Sequence, residues 1–106
     1  MPTSLTLDTA RRDDGELLLT AVGEIDLSNI DAFTQALAAA IAERGSDGGP
    51  LTVDLSAVEY LDSAAINVLF THADDIRVIA SPLLMRVFNI SGLTELATIE
   101  AAPPLA

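Results

Sequence analysis

The sequence predicts an α/β fold: a mixed β-sheet in the order β-β-α-β-α-β-α-β, with its helices packed mainly on one face. Three observations predict it. Residues 4–9 and 17–22 alternate apolar and polar side chains and are joined by a short polar stretch, which reads as a hairpin. After that, short apolar strands alternate with helical patterns, which implies parallel crossovers. Half of the 106 residues are hydrophobic, enough to bury a core. Residues 1–106 are therefore expected to form a single domain, with a core of about residues 4–101.

Each element follows from its local pattern. Leu5 and Leu7 share one face of the first strand, and Arg11-Arg12-Asp13-Asp14-Gly15 is a polar turn. The second strand, residues 17–22, is expected to be interrupted by Gly23, with Glu24-Ile25-Asp26-Leu27 following it. Ser28 is the expected N-cap of the first helix, and Asp31 three residues on makes a near capping box. Ile30, Phe33, Leu37, Ala40 and Ile41 form that helix's apolar stripe. Gly45-Ser46-Asp47-Gly48-Gly49-Pro50 ends it.

Residues 51–55 are a short strand, and 56–61 are expected to connect it to a second helix, about residues 63–73. Ile66, Leu69, Phe70 and Ala73 form the stripe of that helix, and Asp74-Asp75 closes it. Residues 76–80 are a buried strand. Ser81 is an N-cap with Pro82 at the first helical position. The third helix spans residues 84–89, with Gly92 in its C-cap region. Residues 96–101 are a last strand and 103–106 a loose tail. The helix stripes are narrow enough for one layer on one sheet face.

Composition narrows the function. The chain has no cysteine, which excludes disulfides, thiolate zinc sites and cysteine nucleophiles. His72 is the only histidine, so no histidine cluster can hold a metal. No cofactor and no metal are expected. Net charge is −11, and the five basic residues, Arg11, Arg12, Arg44, Arg77 and Arg86, form no stripe. Direct nucleic-acid binding is not expected, because phosphate contacts supply most of that affinity. Anionic membrane surfaces are disfavoured in the same way, and no apolar run approaches the roughly 20 residues needed to span a bilayer. The start of the chain lacks a secretory pattern, so a cytoplasmic protein is expected. Acidity favours solubility and leaves room for a basic protein partner.

The informative stretch is Leu61-Asp62-Ser63-Ala64-Ala65-Ile66-Asn67-Val68-Leu69-Phe70. It places an acid and a hydroxyl where a buried strand ends and an amphipathic helix begins. A helix start carries unsatisfied N–H groups and the positive end of the dipole. Added negative charge there changes what the surface binds. Asp62 suits the N-cap. Ser63 can satisfy a first-turn N–H, contact a partner or accept a phosphate. Ala64, Asn67 and Thr71, at helical spacing, make a candidate contact strip. No nucleophile–base pair accompanies these residues, so no catalytic residue is assigned.

Three segments in register resemble the STAS family, the sulfate-transporter and anti-sigma-factor-antagonist domain. They are Gly23-Glu24-Ile25-Asp26-Leu27, then Val53-Asp54-Leu55-Ser56 through Leu61-Asp62-Ser63-Ala64-Ala65, then Ser81-Pro82 through Ser91-Gly92-Leu93. The resemblance covers about residues 4–101 and implies a STAS-like sheet in which Asp26 lies near Asp62. It implies a binding switch, not an enzyme. Stand-alone antagonists of the family bind an anti-sigma factor, usually a serine kinase, and so free the sigma factor. The kinase then phosphorylates the antagonist at the start of the second helix.

That motif usually reads Asp-Ser-Ser-Gly or Asp-Ser-Thr-Gly, and its third residue accepts the phosphate. Here Ala64 holds the acceptor position and Ala65 replaces the glycine. The resemblance thus implies a kinase-fold anti-sigma factor as partner, contacted through Asp26, Asp62, Ser63, Ala64 and Asn67, with Ser63 the phosphorylation candidate. Asp62-Ser63-Ala64 is also similar to the Asp-Thr-Ala-Gly of cytoplasmic STAS subunits in lipid-transport ABC systems, which bind the transporter ATPase. A small-ligand sensor is a third expectation. A monomer or weak dimer is expected, because the first two strands leave an edge.

Overall fold

The computed structural model describes residues 4–11, 16–44, 49–92 and 98–101. Its elements are β1 (Leu5–Arg11), β2 (Leu17–Ile25), α1 (Ile30–Arg44), β3 (Leu51–Leu61), α2 (Ser63–Thr71), β4 (Ile76–Ala80), α3 (Pro82–Ser91) and β5 (Thr98–Ala101). A short 3-10 turn, Ala73–Asp75, joins α2 to β4. The strands form one sheet in the order β1-β2-β3-β4-β5. β1 is antiparallel to β2, and every later pair is parallel. This is the fold class the sequence predicts. Strands β2 to β5 are laid down in sequential order. Right-handed crossovers therefore put α1, α2 and α3 on the same face.

Alternation along the strands builds the core. Ile76, Val78 and Ala80 of β4 are buried toward the helices, while Arg77 and Ile79 are half-buried on the open face. Leu19, Val53, Leu55 and Val78 meet Phe33, Leu37, Leu69 and Phe88, all fully buried. On the open face Thr52 is fully buried. It donates to Glu16 and accepts from Arg77 Nη2 at 3.2 Å, and Arg77 Nη2 also meets Glu16 Oε1 at 2.7 Å. A buried hydroxyl without partners is costly, so this trio accounts for a polar residue in the sheet.

Elements β2, β3, α1, α2 and α3 differ in their bounds from the sequence expectation. Gly23 does not interrupt β2. It sits within the strand at φ 115°, where a Cβ would stand 2.3 Å from the Ser4 carbonyl oxygen. That oxygen accepts from Glu24 N at 3.0 Å, so the glycine admits the start of β1 at close range. Residues 56–61 are not a connection but the second half of β3, paired through Val22↔Ala57, Gly23↔Val58, Glu24↔Tyr60 and Ile25↔Leu61. Register shifts between Thr20/Val22 and Gly23/Glu24 break the two-residue period and hide the strand.

Ser28 does not cap α1, which begins two residues later; its N–H and hydroxyl turn back to Asp26 Oδ1. Helix α2 stops at Thr71, where His72 N donates to Val68 O at 3.3 Å. Its fully buried residues are Ala65 and Leu69, while Ile66 and Phe70 are only partly buried. Helix α3 is longer than expected, but its caps are as read: Ser81 Oγ accepts from Leu84 N at 3.3 Å and Gly92 is left-handed at φ 86°. Residues 12–15 of the expected turn, 96–97 of the expected last strand and the 103–106 tail lie outside the described residues. Among the described residues no helix is long and apolar enough to cross a membrane.

Candidate functional site

β2 and β3 run parallel and end together, with Ile25 and Leu61 as their last pair. Each then leaves the sheet on an aspartate. Asp62 N donates to Ile25 O at 3.2 Å, so the two exits are tied by a backbone bond. The nearness of Asp26 and Asp62 implied by the family resemblance is thereby realised at one end of the sheet.

Asp62 is extended, at φ −101° and ψ −176°, which aims its side chain back over the first turn of α2. Its Oδ1 accepts from Ala64 N at 3.0 Å and from Ala65 N at 3.2 Å. Its carbonyl accepts from Ile66 N at 3.1 Å. Asp62 is therefore the N-cap. That leaves Ser63 without a capping task. Ser63 is exposed, and among the described residues nothing hydrogen-bonds its hydroxyl. The capping reading of Ser63 is corrected: the longer reach of the Asp62 carboxylate takes both amides.

Asp26 heads a turn closed on itself. Its Oδ1 accepts from Ser28 N at 2.9 Å and from the Ser28 hydroxyl. Asn29 locks the same turn from the other side. Its Oδ1 accepts from Asp26 N and its Nδ2 donates to Glu24 O, both at 2.9 Å. Asn29 N also donates to Asp26 O at 3.1 Å. Sequence reasoning missed Asn29. The Asp-x-Ser-Asn spacing is the signal that could have found it, because short side chains at such offsets close turns on their own backbone.

The remaining sequence-predicted residues sit on α2. Ala64 is half-buried beside the cap, and Asn67 is exposed one turn further along. Thr71 is exposed, but its hydroxyl donates to Asn67 O at 2.9 Å and so is turned onto the helix. Ala65, at the position where the motif carries glycine, is fully buried and packs in the core. The arrangement offers an exposed hydroxyl, a capped helix start and two carboxylates. It suits charge-sensitive binding. Among the described residues no group of three metal-binding side chains gathers anywhere.

Residues 9–99 match the family model described as Mlab, STAS domain. The chain belongs to the STAS domain family. This STAS domain is similar to the crystal structure of an anti-sigma factor antagonist from Mycobacterium paratuberculosis. The identity is 28%, over 96% of this chain and 88% of that one, with a TM-score of 0.81. It also shares its fold with the anti-sigma factor antagonist SpoIIAA. The unphosphorylated form gives a TM-score of 0.67 at 17% identity, over 94% of this chain and 89% of that one. The phosphorylated Bacillus form gives 0.59 at 17% identity, over 94% and 92%. No curated protein sequence matches the chain.

Proposed function

We propose that this STAS domain is an anti-sigma-factor antagonist. It binds a kinase-fold anti-sigma factor through Asp26, Asp62, Ser63, Ala64 and Asn67, and so regulates sigma-factor-dependent transcription without performing chemistry. The observation that carries this is the 28% identity to an antagonist across 96% of the chain. The local geometry supports it. Ser63 presents a free hydroxyl at a helix start whose capping is done by its neighbour. Ala64 has no hydroxyl, so a switch that acts through this position in relatives is missing here. Ser63 serves first as a contact, and it is the only hydroxyl within Asp62-Ser63-Ala64-Ala65 that a kinase can reach.

A second reading is supported by the Asp62-Ser63-Ala64 run and by the match to the family model described as Mlab, STAS domain: a STAS subunit of a lipid-transport ABC system that binds the transporter ATPase. The two readings separate by partner. The test is a titration of the purified domain against the host's kinase-fold anti-sigma factors and, in parallel, its transporter ATPases. Nanomolar-to-micromolar binding to an anti-sigma factor is expected. Selective binding to an ATPase replaces the first reading with the second.

Substitution of Ser63 tests the contact. Ser63→Asp puts a bulkier, charged side chain at a contact beside Asp62, where it must be desolvated on binding and is repelled by a like charge of the chain itself. Ser63→Asp is therefore expected to weaken binding tenfold or more, and Ser63→Ala only a few-fold. Equal affinity of wild type and Ser63→Asp removes Ser63 from the interface.

A further inference from the structure

The described residues expose five large hydrophobic side chains, and three stand at the end of the sheet that carries Asp62. Leu27 is 77% exposed, in the turn after β2. Tyr60 is 50% exposed, one residue before the end of β3, opposite Glu24. Val22 is 45% exposed, opposite Ala57, itself exposed. Alternation along β2 places Val22 and Glu24 on the sheet face away from the helices, and their partners Ala57 and Tyr60 with them. Val22, Ala57 and Tyr60 are thus exposed on the open face toward the carboxyl ends of β2 and β3, and Leu27 stands in the turn just beyond the end of β2.

Leu27 is held in place. The turn that bears it is fastened by the Asp26, Ser28 and Asn29 hydrogen bonds, and its base is tied to α2 through Asp62 N and Ile25 O. A residue so fixed loses little conformational freedom when it is buried by a partner, and that is the property of an interface anchor. Aromatic side chains such as Tyr60 are enriched in the same role.

The charges around these side chains are of one sign. Glu24, Asp26, Glu59 and Asp62 all belong to this end of β2 and β3. Three of the described arginines, Arg11, Arg44 and Arg77, lie at the other end of the sheet, while Arg86 is on α3. Arg11 pairs with Leu17 at the start of β2, and Arg77 pairs with Thr52 at the start of β3. Arg44 bonds Gly49 O at 3.2 Å just ahead of β3 and meets Asp75 at 3.3 Å just ahead of β4. A chain of net charge −11 therefore shows exposed apolar side chains bordered by acids at the carboxyl end of its central strands.

We infer that Leu27, Tyr60 and Val22 are the apolar anchors of the partner interface, and that the partner meets them with an apolar pocket rimmed by Arg or Lys. This rests on the antagonist reading above and assigns the partner's chemistry at the same end of the sheet. The acids set encounter rate and orientation, and the apolar anchors set how long the complex lasts.

The probes are the purified kinase-fold anti-sigma factor that binds the wild-type domain and, in parallel, the host's transporter ATPases. Leu27→Ala and Tyr60→Ala are each expected to weaken binding about tenfold or more, with dissociation accelerated and melting temperature held within a few degrees. Ile90→Ala, at a still more exposed residue of leucine size on α3, is expected to leave affinity within about twofold. Raising salt from about 0.05 M to about 0.5 M is expected to slow association several-fold. Leu27→Asp guards against a pocket that tolerates alanine. If both Leu27 variants and Tyr60→Ala bind like wild type, the anchor inference is overturned while the antagonist reading stands. Association indifferent to salt overturns the basic rim. Binding only to an ATPase, weakened by the same variants, keeps the anchors and overturns the antagonist reading. A wild-type domain that binds neither probe overturns both.

Discussion

At the scale of single residues, Asp62 ties three things together: the end of β3, the start of α2 and, through its N–H, the end of β2. Replacing an N-cap aspartate by alanine costs typically about 1 kcal/mol. For a domain of this size each kcal/mol lowers the melting temperature by roughly 4–8 °C. Asp62→Ala is therefore expected to melt several degrees lower, while Asp62→Asn, which keeps an acceptor oxygen, recovers most of the loss. Thermal unfolding monitored by circular dichroism decides it. An unchanged melting temperature for Asp62→Ala would show that the two hydrogen bonds contribute nothing net. Asp62→Asn also removes a charge, so a binding defect in this variant at normal stability separates the carboxylate's role in recognition from its role as a cap.

At the scale of elements, Gly23 decides whether β1 can lie against β2. Its φ of 115° is a backbone region that side-chain-bearing residues rarely adopt, and an added Cβ would meet the Ser4 oxygen at 2.3 Å. That atom is main chain and accepts a hydrogen bond from Glu24, so it cannot swing aside as a flexible side chain would. Gly23→Ala is expected to destabilise by about 2 kcal/mol or more, combining positive-φ strain with the clash. Urea unfolding measures it, and a variant within about 0.5 kcal/mol of wild type, the range of neutral surface changes, would contradict this geometry.

The same region marks how far the elements were legible in the sequence. The order of strands and helices, the caps of α3 and the apolar stripe of α1 could be read, because each depends on local pattern alone. The second half of β3 could not. Its buried residues Leu55, Val58 and Leu61 fall three apart, a spacing produced by the register shifts against β2. The partner strand, not the segment's own sequence, creates that pattern. Ser28 misled for a related reason: it looks like a cap, but Asp26 offers its N–H and hydroxyl a nearer acceptor. At the site, the pairing of Asp62 with the helix start was visible, whereas Asn29's lock on the turn and the exposure of Leu27 depend on where the turn lies in space.

At the scale of the whole molecule, charge sets the balance. The chain carries 16 acidic and 5 basic residues within a radius of gyration of 12.9 Å. In about 0.01 M salt the screening length is roughly 30 Å, so the excess carboxylates repel one another across the whole fold. In about 0.15 M salt it shortens to about 8 Å, and only near neighbours interact. Unfolding spreads these charges apart, so low salt favours the unfolded chain. Attraction within ion pairs opposes this: among the described residues Glu16–Arg77 and Arg44–Asp75 are partly exposed pairs, each worth no more than about 1 kcal/mol, and salt weakens them too. Eleven excess charges outweigh weak surface pairs of this kind, so the sign is set by repulsion. The melting temperature is expected to rise by several degrees between about 0.01 M and about 0.15 M NaCl and then to level off as the screening length falls below the typical spacing between charges. A melting temperature that falls over the same range would mean that the paired arginines, which hold the amino ends of the strands, dominate the electrostatics of folding.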